Sequence, residues 1–596
     1  MTLETAPIIF GPWLAQAGQH WLFALLILAL VALGLVYTML TLVYGPMAAG
    51  ERLVVGLLAA AHDLWHTSPR RVGALAWLAI QESVRRRALA GFAIFLVVIA
   101  FALWFLDPDT YDPAALYLSF VLWATTILSL VLGLFISVFS LPADMKSKTI
   151  YTIVTKPVRA TEIVLGRILG FAAIGTVQLA VMGLVSYTFV VRALDHTHEL
   201  TDKDLQAVEA SSGSETRQGR TSKNRGHFHA VTDLGNGQVT TDDRQGHWHP
   251  ITVEERNGRP VYRVGAPQGQ FHARVPVYGE LSFRDKSGSP KAKGTDVGKI
   301  WSYRSYVEGG SLEAAVWKFQ GVTPDRFPNG LPIDLNIRVY RTHKGDVEQG
   351  TVGSLVLRNP RTKVASSPVN FIAKEFVIDR HSIPRKMTAP DGKTLDLFDD
   401  LMAEGQLEVQ LTCLQRGTFF GMAQADMYLL AREGSVFVNF VKAYVAIWFQ
   451  MVLVIGFGVV WSTFLNGSVA MLSTFGILLA GFFRSQMMML AENKVYGGAT
   501  FESLVRMGKK MNVMDPLDPG ITADTVKVAD DGVRWLMWLV CQVVPDFKQL
   551  SCVDYLTNGF DIPWDRLATH GVTTLGFVVP LFIVGFICFK AREVAA

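Results

Sequence analysis

The sequence predicts a mixed fold: an α-helical polytopic membrane domain of about seven spans, with a large β-rich extracytoplasmic domain inserted into it. Three observations predict it. Half of the 596 residues are hydrophobic and only 18% are charged, against about 25% charge in an ordinary soluble domain. Six uncharged runs are long enough to cross a membrane, a crossing of ~30 Å that takes roughly 20 helical residues. Between the fourth and fifth of these runs the pattern changes to short alternating stretches. The same composition excludes a disordered chain, which lacks apolar and aromatic residues. A net charge of +4 is too small to suggest a nucleic-acid binder, and four cysteines are too few for a disulfide framework.

The runs are Trp21–Val43, Ala88–Leu106, Tyr117–Phe139, Ile168–Val191, Ala443–Phe483 and Gly571–Phe589. The fifth is twice the length of one crossing, and Asn466-Gly467-Ser468 is a turn signal near its middle. It reads as a two-span hairpin, which brings the total to seven. Lys and Arg in short loops mark the cytoplasmic side. Arg70, Arg71 and Arg85-Arg86-Arg87 precede the second span, and Asp107, Asp109 and Asp112 follow it. Lys146, Lys148, Lys156, Arg159 and Arg167 fill the connection between the third and fourth spans, and Lys590 and Arg592 follow the last. One topology satisfies them all: N-terminus and β-domain outside, the 140–167 connection and C-terminus inside.

The chain then divides into an N-terminal extra span (1–50), a cytoplasmic linker with an amphipathic helix (51–87), spans with their connection (88–192), and the β-rich domain (193–438). A two-span hairpin (439–483), a second outer segment (484–570) and the last span with its tail (571–596) follow. Period-two alternation at 260–264, 333–340 and 407–411 predicts half-buried strands, in a β-sandwich or barrel-like domain. Residues 201–225, rich in Ser, Lys, Arg, Gly and Glu, read as a loop or linker. Arg534–Val544 is apolar but too short to span, which predicts a re-entrant or interfacial helix. Cys541 and Cys552 share this segment, either bridged in an oxidising compartment or packed as thiols.

Two constellations carry chemistry. The first is the connection Ser140-Leu141-Pro142-Ala143-Asp144-Met145-Lys146-Ser147-Lys148-Thr149-Ile150-Tyr151, which runs on through Lys156-Pro157-Val158-Arg159 to Glu162 and Leu165-Gly166-Arg167. This series resembles the cytoplasmic loop of ABC-2 type permeases, and is most similar to those associated with multicopper-enzyme maturation. The amphipathic basic stretch Val72–Arg87 looks like that family's elbow helix, and Phe589-Lys590-Ala591-Arg592-Glu593 like its short tail. The resemblance covers roughly 72–192, with weaker support at 440–483 and 570–594. It implies a coupling element (Asp144, Lys146, Lys148, Thr149, Lys156, Pro157, Arg159 and Glu162) meeting a separate ABC ATPase subunit, and a dimer with a second copy or a similar permease. The charges alone favour an ordinary positive-inside loop; the ordered series beside the elbow-like helix favours the permease.

The second constellation is histidine. Of thirteen histidines, six form H-x-H pairs, His196/His198, His227/His229 and His247/His249, with His272 nearby. Gly226-His227-Phe228-His229-Ala230-Val231-Thr232 is echoed by Gly246-His247-Trp248-His249-Pro250-Ile251-Thr252. On extended backbone, residues i and i+2 share a face. His227, His229, His247 and His249 can therefore bring four nitrogens to a divalent transition metal such as zinc, copper or nickel. Asp195, Glu199, Asp242 and Asp243 are candidate carboxylate partners. The alternative is a repeated hairpin whose histidines only pack.

No G-x-x-x-x-G-K-[ST] phosphate loop is present; Asp391-Gly392-Lys393-Thr394 ends like one, but Met387 stands where its first glycine belongs. No H-E-x-x-H or Ser-His-Asp pattern points to an enzyme, and charge-free span centres argue against an ion-driven carrier. Two function classes remain. One is a multi-pass permease subunit in the lipid bilayer of a bacterial cytoplasmic membrane, driven by a separate ATPase, exporting or acting mechanically on an envelope substrate. The other is a membrane-anchored sensor or metal- or partner-binding protein without transport.

Overall fold

The computed structural model describes residues 9–85, 90–107, 109–110, 112–147, 158–209, 215–234, 238–242, 246–256, 259–295, 304–328, 330–342, 350–373, 378–494, 500–512, 517 and 520–591. They form two compact units. The first comprises 9–271, 437–558 and 562 onward, and the second 272–436 with 559–561.

The first unit opens with α1 (Phe10–Tyr44), α2 (Pro46–Trp65), α3 (Pro69–Arg85), α4 (Ala90–Phe105), α5 (Pro113–Lys146) and α6 (Ala160–Leu194). After the strands come α7 (Val436–Phe464), α8 (Gly467–Phe482), α9 (Arg484–Ala491), α10 (Thr500–Lys509), α11 (Ile521–Val543), α12 (Val553–Thr557) and α13 (Trp564–Ala591). Among the described residues, α1, α5, α6, α7 and α13 are long and apolar enough to cross a membrane. The pair α8–α9, bent by 67°, makes a sixth if it is one span. The expected hairpin break is present: the Asn466 side chain caps α8 by accepting from the Val469 amide at 3.0 Å. Helix α4, read as the second span, has 16 residues, about 24 Å at 1.5 Å per residue.

Two readings change, and a third is extended. The stretch from 51 taken as linker is helical, as part of α2, which starts after Gly45 at φ +83°. Residues 201–225 hold strands rather than a loop: β1 (Leu205–Glu209) pairs antiparallel with β2 (Glu215–Arg220), Leu205 opposite Gly219. Leu200 and Leu205 join Val231, Ile251 and Tyr262 in a small core, beside which Arg217 pairs with Asp202 at 2.6 Å. In the segment 484–570 the apolar stretch is the end of a longer amphipathic helix, α11, with Trp535, Leu536 and Trp538 exposed. No disulfide joins Cys541 to Cys552; the Cys541 thiol points at the Arg484 carbonyl and Cys552 stands beside His570.

The remaining strands of this unit are β3 (Ala230–Asp233) and β4 (Val239–Thr241), which extend the first hairpin into a four-stranded sheet, and the separate hairpin β5 (Ile251–Arg256) with β6 (Arg259–Val264). The β-rich region at 205–433 is thus divided between the two units.

The second unit is a β-sandwich. One antiparallel sheet has six strands, ordered Val369–Ala373, Thr351–Arg358, Leu407–Cys413, Ala314–Phe319, Glu280–Arg284 and Pro290–Lys291. A four-stranded sheet, ordered Asp379–Ile383, Leu331–Leu335, Met427–Glu433 and Arg274–Tyr278, faces it. Along Leu407–Cys413 the expected alternation holds: Leu407, Val409 and Leu411 are fully buried and join Trp317, Ile333, Leu355 and Leu429 in one core. The stretch 333–340, read as one strand, is two. Leu331–Leu335 ends where Asn336 bonds the Asp426 carbonyl, and Arg338–Arg341 joins a three-stranded sheet with Thr418–Met422 and Ser305–Glu308. The Asp391-Gly392-Lys393-Thr394 segment forms the turn and return strand of a small hairpin, with Lys386–Thr388 opposite Thr394–Asp396.

In the helical unit α3 and α6 approach closely because α6 lacks side chains at Gly166 and Gly170. A Cβ at Gly170 would stand 2.5 Å from the Ala76 carbonyl oxygen and 2.7 Å from the Ala79 Cβ. Gly170→Ala gains about 1 kcal/mol of helix propensity but overpacks a site that costs about 1–3 kcal/mol to open. It is expected to lower the thermal midpoint in detergent. Gly73→Ala on α3, which meets nothing within 4 Å, is expected to hold or raise it.

Candidate metal centre

All six histidines of the H-x-H pairs come together in the first unit. None sits within a regular strand; each pair lies on the extended segment that leads into a hairpin. His196/His198 follow α6 and precede β1, His227/His229 precede β3, and His247/His249 precede β5. Extended backbone still gives the period of two: His196 and His198 are buried, while Asp195, Thr197 and Glu199 between and beside them are exposed. That alternation turns Asp195 and Glu199 away from the cluster. Gly226 and Gly246, at φ +77° and +74°, make the turn before the second and third pairs.

Backbone carbonyls fix the rings. The Nδ1 of His196 lies 2.9 Å from the Leu194 carbonyl oxygen, of His198 2.7 Å from Ser222, and of His227 3.1 Å from Arg225. His229 bonds the Asp242 carbonyl at 3.0 Å and His249 that of Gly265 at 2.8 Å. A carbonyl only accepts, so these five rings carry their proton on Nδ1 and present a bare lone pair at Nε2. The Nε2 atoms converge: 3.3 Å from His196 to His227, 3.2 Å from His227 to His247, 3.1 Å from His247 to His196, and 3.3 Å from His229 to His247. The Nε2 atoms of His198 and His249 are buried with no hydrogen-bond partner among the described residues. Burial holds the pKa of His196 and His229 down to about 4 and that of His247 to about 2, and lowers His249 as well. Repulsion between neighbouring imidazolium charges works the same way, so these four rings are neutral near pH 7 and their lone pairs are available to a cation. This buried cluster can bind a metal ion.

The four histidines expected to act together are joined by His196 and His198, which the sequence shows as a third pair without its own glycine turn. Asp242 is an orienting partner, its carboxylate 3.4 Å from His229 Nδ1. Asp243 lies outside the described residues. His272 belongs to the other unit, where it pairs with Glu433 at 3.2 Å.

Of the residues expected in the coupling connection, Lys148, Thr149, Lys156 and Pro157 lie outside the described residues. Lys146 is exposed at the end of α5. Asp144 and Glu162 are buried, 7% and 0% exposed, and brace the helices from within. Arg167, in the second turn of α6, pairs with Asp144 of α5 and with Glu82 of α3, and donates to Ser140 at 2.5 Å. Glu162 pairs with Arg71 of α3 at 2.7 Å and accepts from the Ser68 and Arg159 amides at 2.8 and 3.0 Å. Arg159 meets Asp63 of α2 at 3.4 Å, and Asp63 holds Lys590 of α13 at 2.5 Å. Sequence reasoning missed Glu82, Arg71 and Asp63. The signal was Arg167 itself: a guanidinium at the start of an apolar helix needs buried anions.

Compared with protein-family models, with curated proteins and with solved structures, the chain matches none of them.

Arg167→Ala leaves Glu82 and Asp144 without their guanidinium. Breaking a buried pair costs about 3–5 kcal/mol, so its thermal midpoint is expected to fall sharply. Lys146→Ala is expected to stay within about 0.5 kcal/mol of wild type, as exposed substitutions do.

Proposed function

We propose that the chain is the membrane permease subunit of an ATP-driven transport system of the ABC-2 type, energised by a separate ATP-binding chain and working as one half of a dimer. The observation that carries this reading is the ionic clamp: the amphipathic helix α3 is fastened by Arg71–Glu162 and Glu82–Arg167 to the helix that leaves the 140–167 connection, and through Arg167–Asp144 to the helix that enters it. A soluble motor pressing on that connection would push on three helices as one body instead of bending a loop. On this reading α4 is the seventh span, the connection faces the cytoplasm of a bacterial cell and the strands face outward. The system then exports, or works mechanically on, an envelope substrate. The histidine cluster favours a second reading, a membrane-anchored sensor or binding protein that holds a divalent transition metal outside the membrane.

Two measurements separate them. Single cysteines at Ser147 and Gln238, both exposed, in a background without native cysteines, report sidedness with an impermeant maleimide on spheroplasts. Labelling at Gln238 alone is expected, and labelling at Ser147 alone reverses the topology. Charge reversal of the connection, Lys146→Glu with Lys148→Glu, is expected to keep the thermal midpoint while weakening co-purification with a candidate ATP-binding chain more than tenfold. That matches the roughly 2–5 kcal/mol lost with a buried interface charge pair. Unchanged co-purification and unchanged ATPase stimulation in nanodiscs would leave the sensor reading in its place.

A further inference from the structure

Lone pairs aimed at one another from 3.1–3.3 Å repel unless something positive lies between them, and His247, whose Nδ1 has no carbonyl partner among the described residues, can supply a proton to only one neighbour. The pattern of ring neighbours says what that cation must look like. Every imidazole faces all of its companions but one, at centroid distances of 4.9–5.3 Å and interplanar angles of 69–90°. The pairs left over, His196/His229, His198/His247 and His227/His249, are the opposed vertices of an octahedron. The three histidines that come first in their pairs form one triangular face, with Nε2 edges of 3.1, 3.2 and 3.3 Å. A regular octahedron with such edges has its centre about 2.3 Å from each nitrogen, within the ~0.2 Å tolerance that separates a plausible from an implausible metal–imidazole distance.

The chain reaches this geometry by repetition. Each second histidine bonds the carbonyl just beyond its hairpin's returning strand: His198 at Ser222, His229 at Asp242 and His249 at Gly265. The amides of His229 and His249 each donate to a threonine hydroxyl at the end of the preceding hairpin, Thr221 at 2.9 Å and Thr241 at 3.0 Å. Each opposed pair joins the first histidine of one repeat to the second of the next, and the third repeat closes on the first. That is the connectivity of three equivalent units around a three-fold axis.

We propose that the six histidines together hold a single octahedrally coordinated divalent ion, of the class that favours six nitrogen donors, with Ni(II) the tightest and Fe(II), Co(II) and Mn(II) weaker. This rests on the reading that the cluster binds a divalent transition metal, and adds the ligand number, the geometry and the selectivity. Zinc takes four ligands in a tetrahedron, and copper(II) prefers a tetragonal plane. Among the octahedral ions, affinity rises from Mn(II) through Fe(II) and Co(II) to Ni(II). All six positions are filled by protein, so the ion has no vacancy for water or substrate. It is a staple that ties three hairpins, none of which has a large core of its own, into one body.

The test uses the full chain in nanodiscs, stripped with a chelator and reloaded separately with Co(II), Ni(II) and Zn(II). One ion per chain is expected by elemental analysis, with the weak visible absorption of six-coordinate Co(II) and a Ni(II) affinity at least tenfold above that for Zn(II). Each of the six single His→Ala variants is expected to lose about tenfold or more in Ni(II) affinity, at least the loss that follows removal of an orienting partner, while His62→Ala does not. An intense four-coordinate Co(II) band, or two histidines that can be replaced without loss, would overturn the six-ligand centre and leave a smaller metal site. No ion retained by the wild-type chain would overturn metal binding altogether. The spectrum of the wild-type protein decides the geometry even if a variant fails to fold.

Discussion

Backbone carbonyl oxygens decide what the histidine cluster is. A buried imidazole with a free ring can put its proton on either nitrogen, and six such rings could settle into a hydrogen-bonded knot. Here five Nδ1–H groups are committed to main-chain acceptors at 2.7–3.1 Å, and each commitment strips the opposite nitrogen of its proton. The hairpins are placed so that those carbonyls are available, which explains why the returning strands end at Arg220, Thr241 and Val264 just before the residues that accept. Secondary structure, tautomer and lone-pair direction are one constraint seen at three scales.

At the opposite end of α6 the problem has the other sign. Arg167 carries a guanidinium that is only 4% exposed, so the helices around it must supply anions or leave a charge stranded at a cost of several kcal/mol. Glu82 and Asp144 do so from α3 and α5. The close approach that lets them reach is made by the bare backbone at Gly166 and Gly170. Small residues set the distance and the ion pairs set the register, so neither works without the other.

Much of this was legible in the sequence and some was not, for identifiable reasons. Apolar runs located the long helices, and a single Asn466 cap located the break between α7 and α8, because hydropathy and capping are local. The alternation at 407–411 gave a core strand for the same reason. Residues 201–225 misled, since a hairpin with one small buried face carries the composition of a linker. Asp144 and Glu162 misled in another way: a charged residue beside a loop has no local mark saying whether it points to solvent or to a buried arginine seen only in three dimensions. The H-x-H pairs were visible, yet four were grouped and His196/His198 set apart, because the repeat was recognised through its glycine turns and the first pair begins from a helix end instead.

That first pair follows α6 directly, and this gives the helix two duties. At its start Glu162 and Arg167 are locked to α3 and α5. At its end the Leu194 carbonyl accepts from His196 Nδ1 at 2.9 Å and from the Gln270 amide at 3.0 Å. Between them the helix is continuous over 35 residues, about 50 Å at 1.5 Å per residue. An unbroken helix resists stretching and carries an axial displacement along its length. His196 is two residues past Leu194, without a hinge glycine between them, so a shift of α6 reaches a vertex of the histidine octahedron with little slack to absorb it. Coordination geometry is sensitive to displacements of a few tenths of an ångström. On the permease reading, α6 therefore ties the metal staple mechanically to the connection on which a motor would act. On the sensor reading the same rod runs the other way, from the metal to the clamp. Which direction the protein uses depends on what drives it, but the path is the same: Arg167, α6, Leu194, His196.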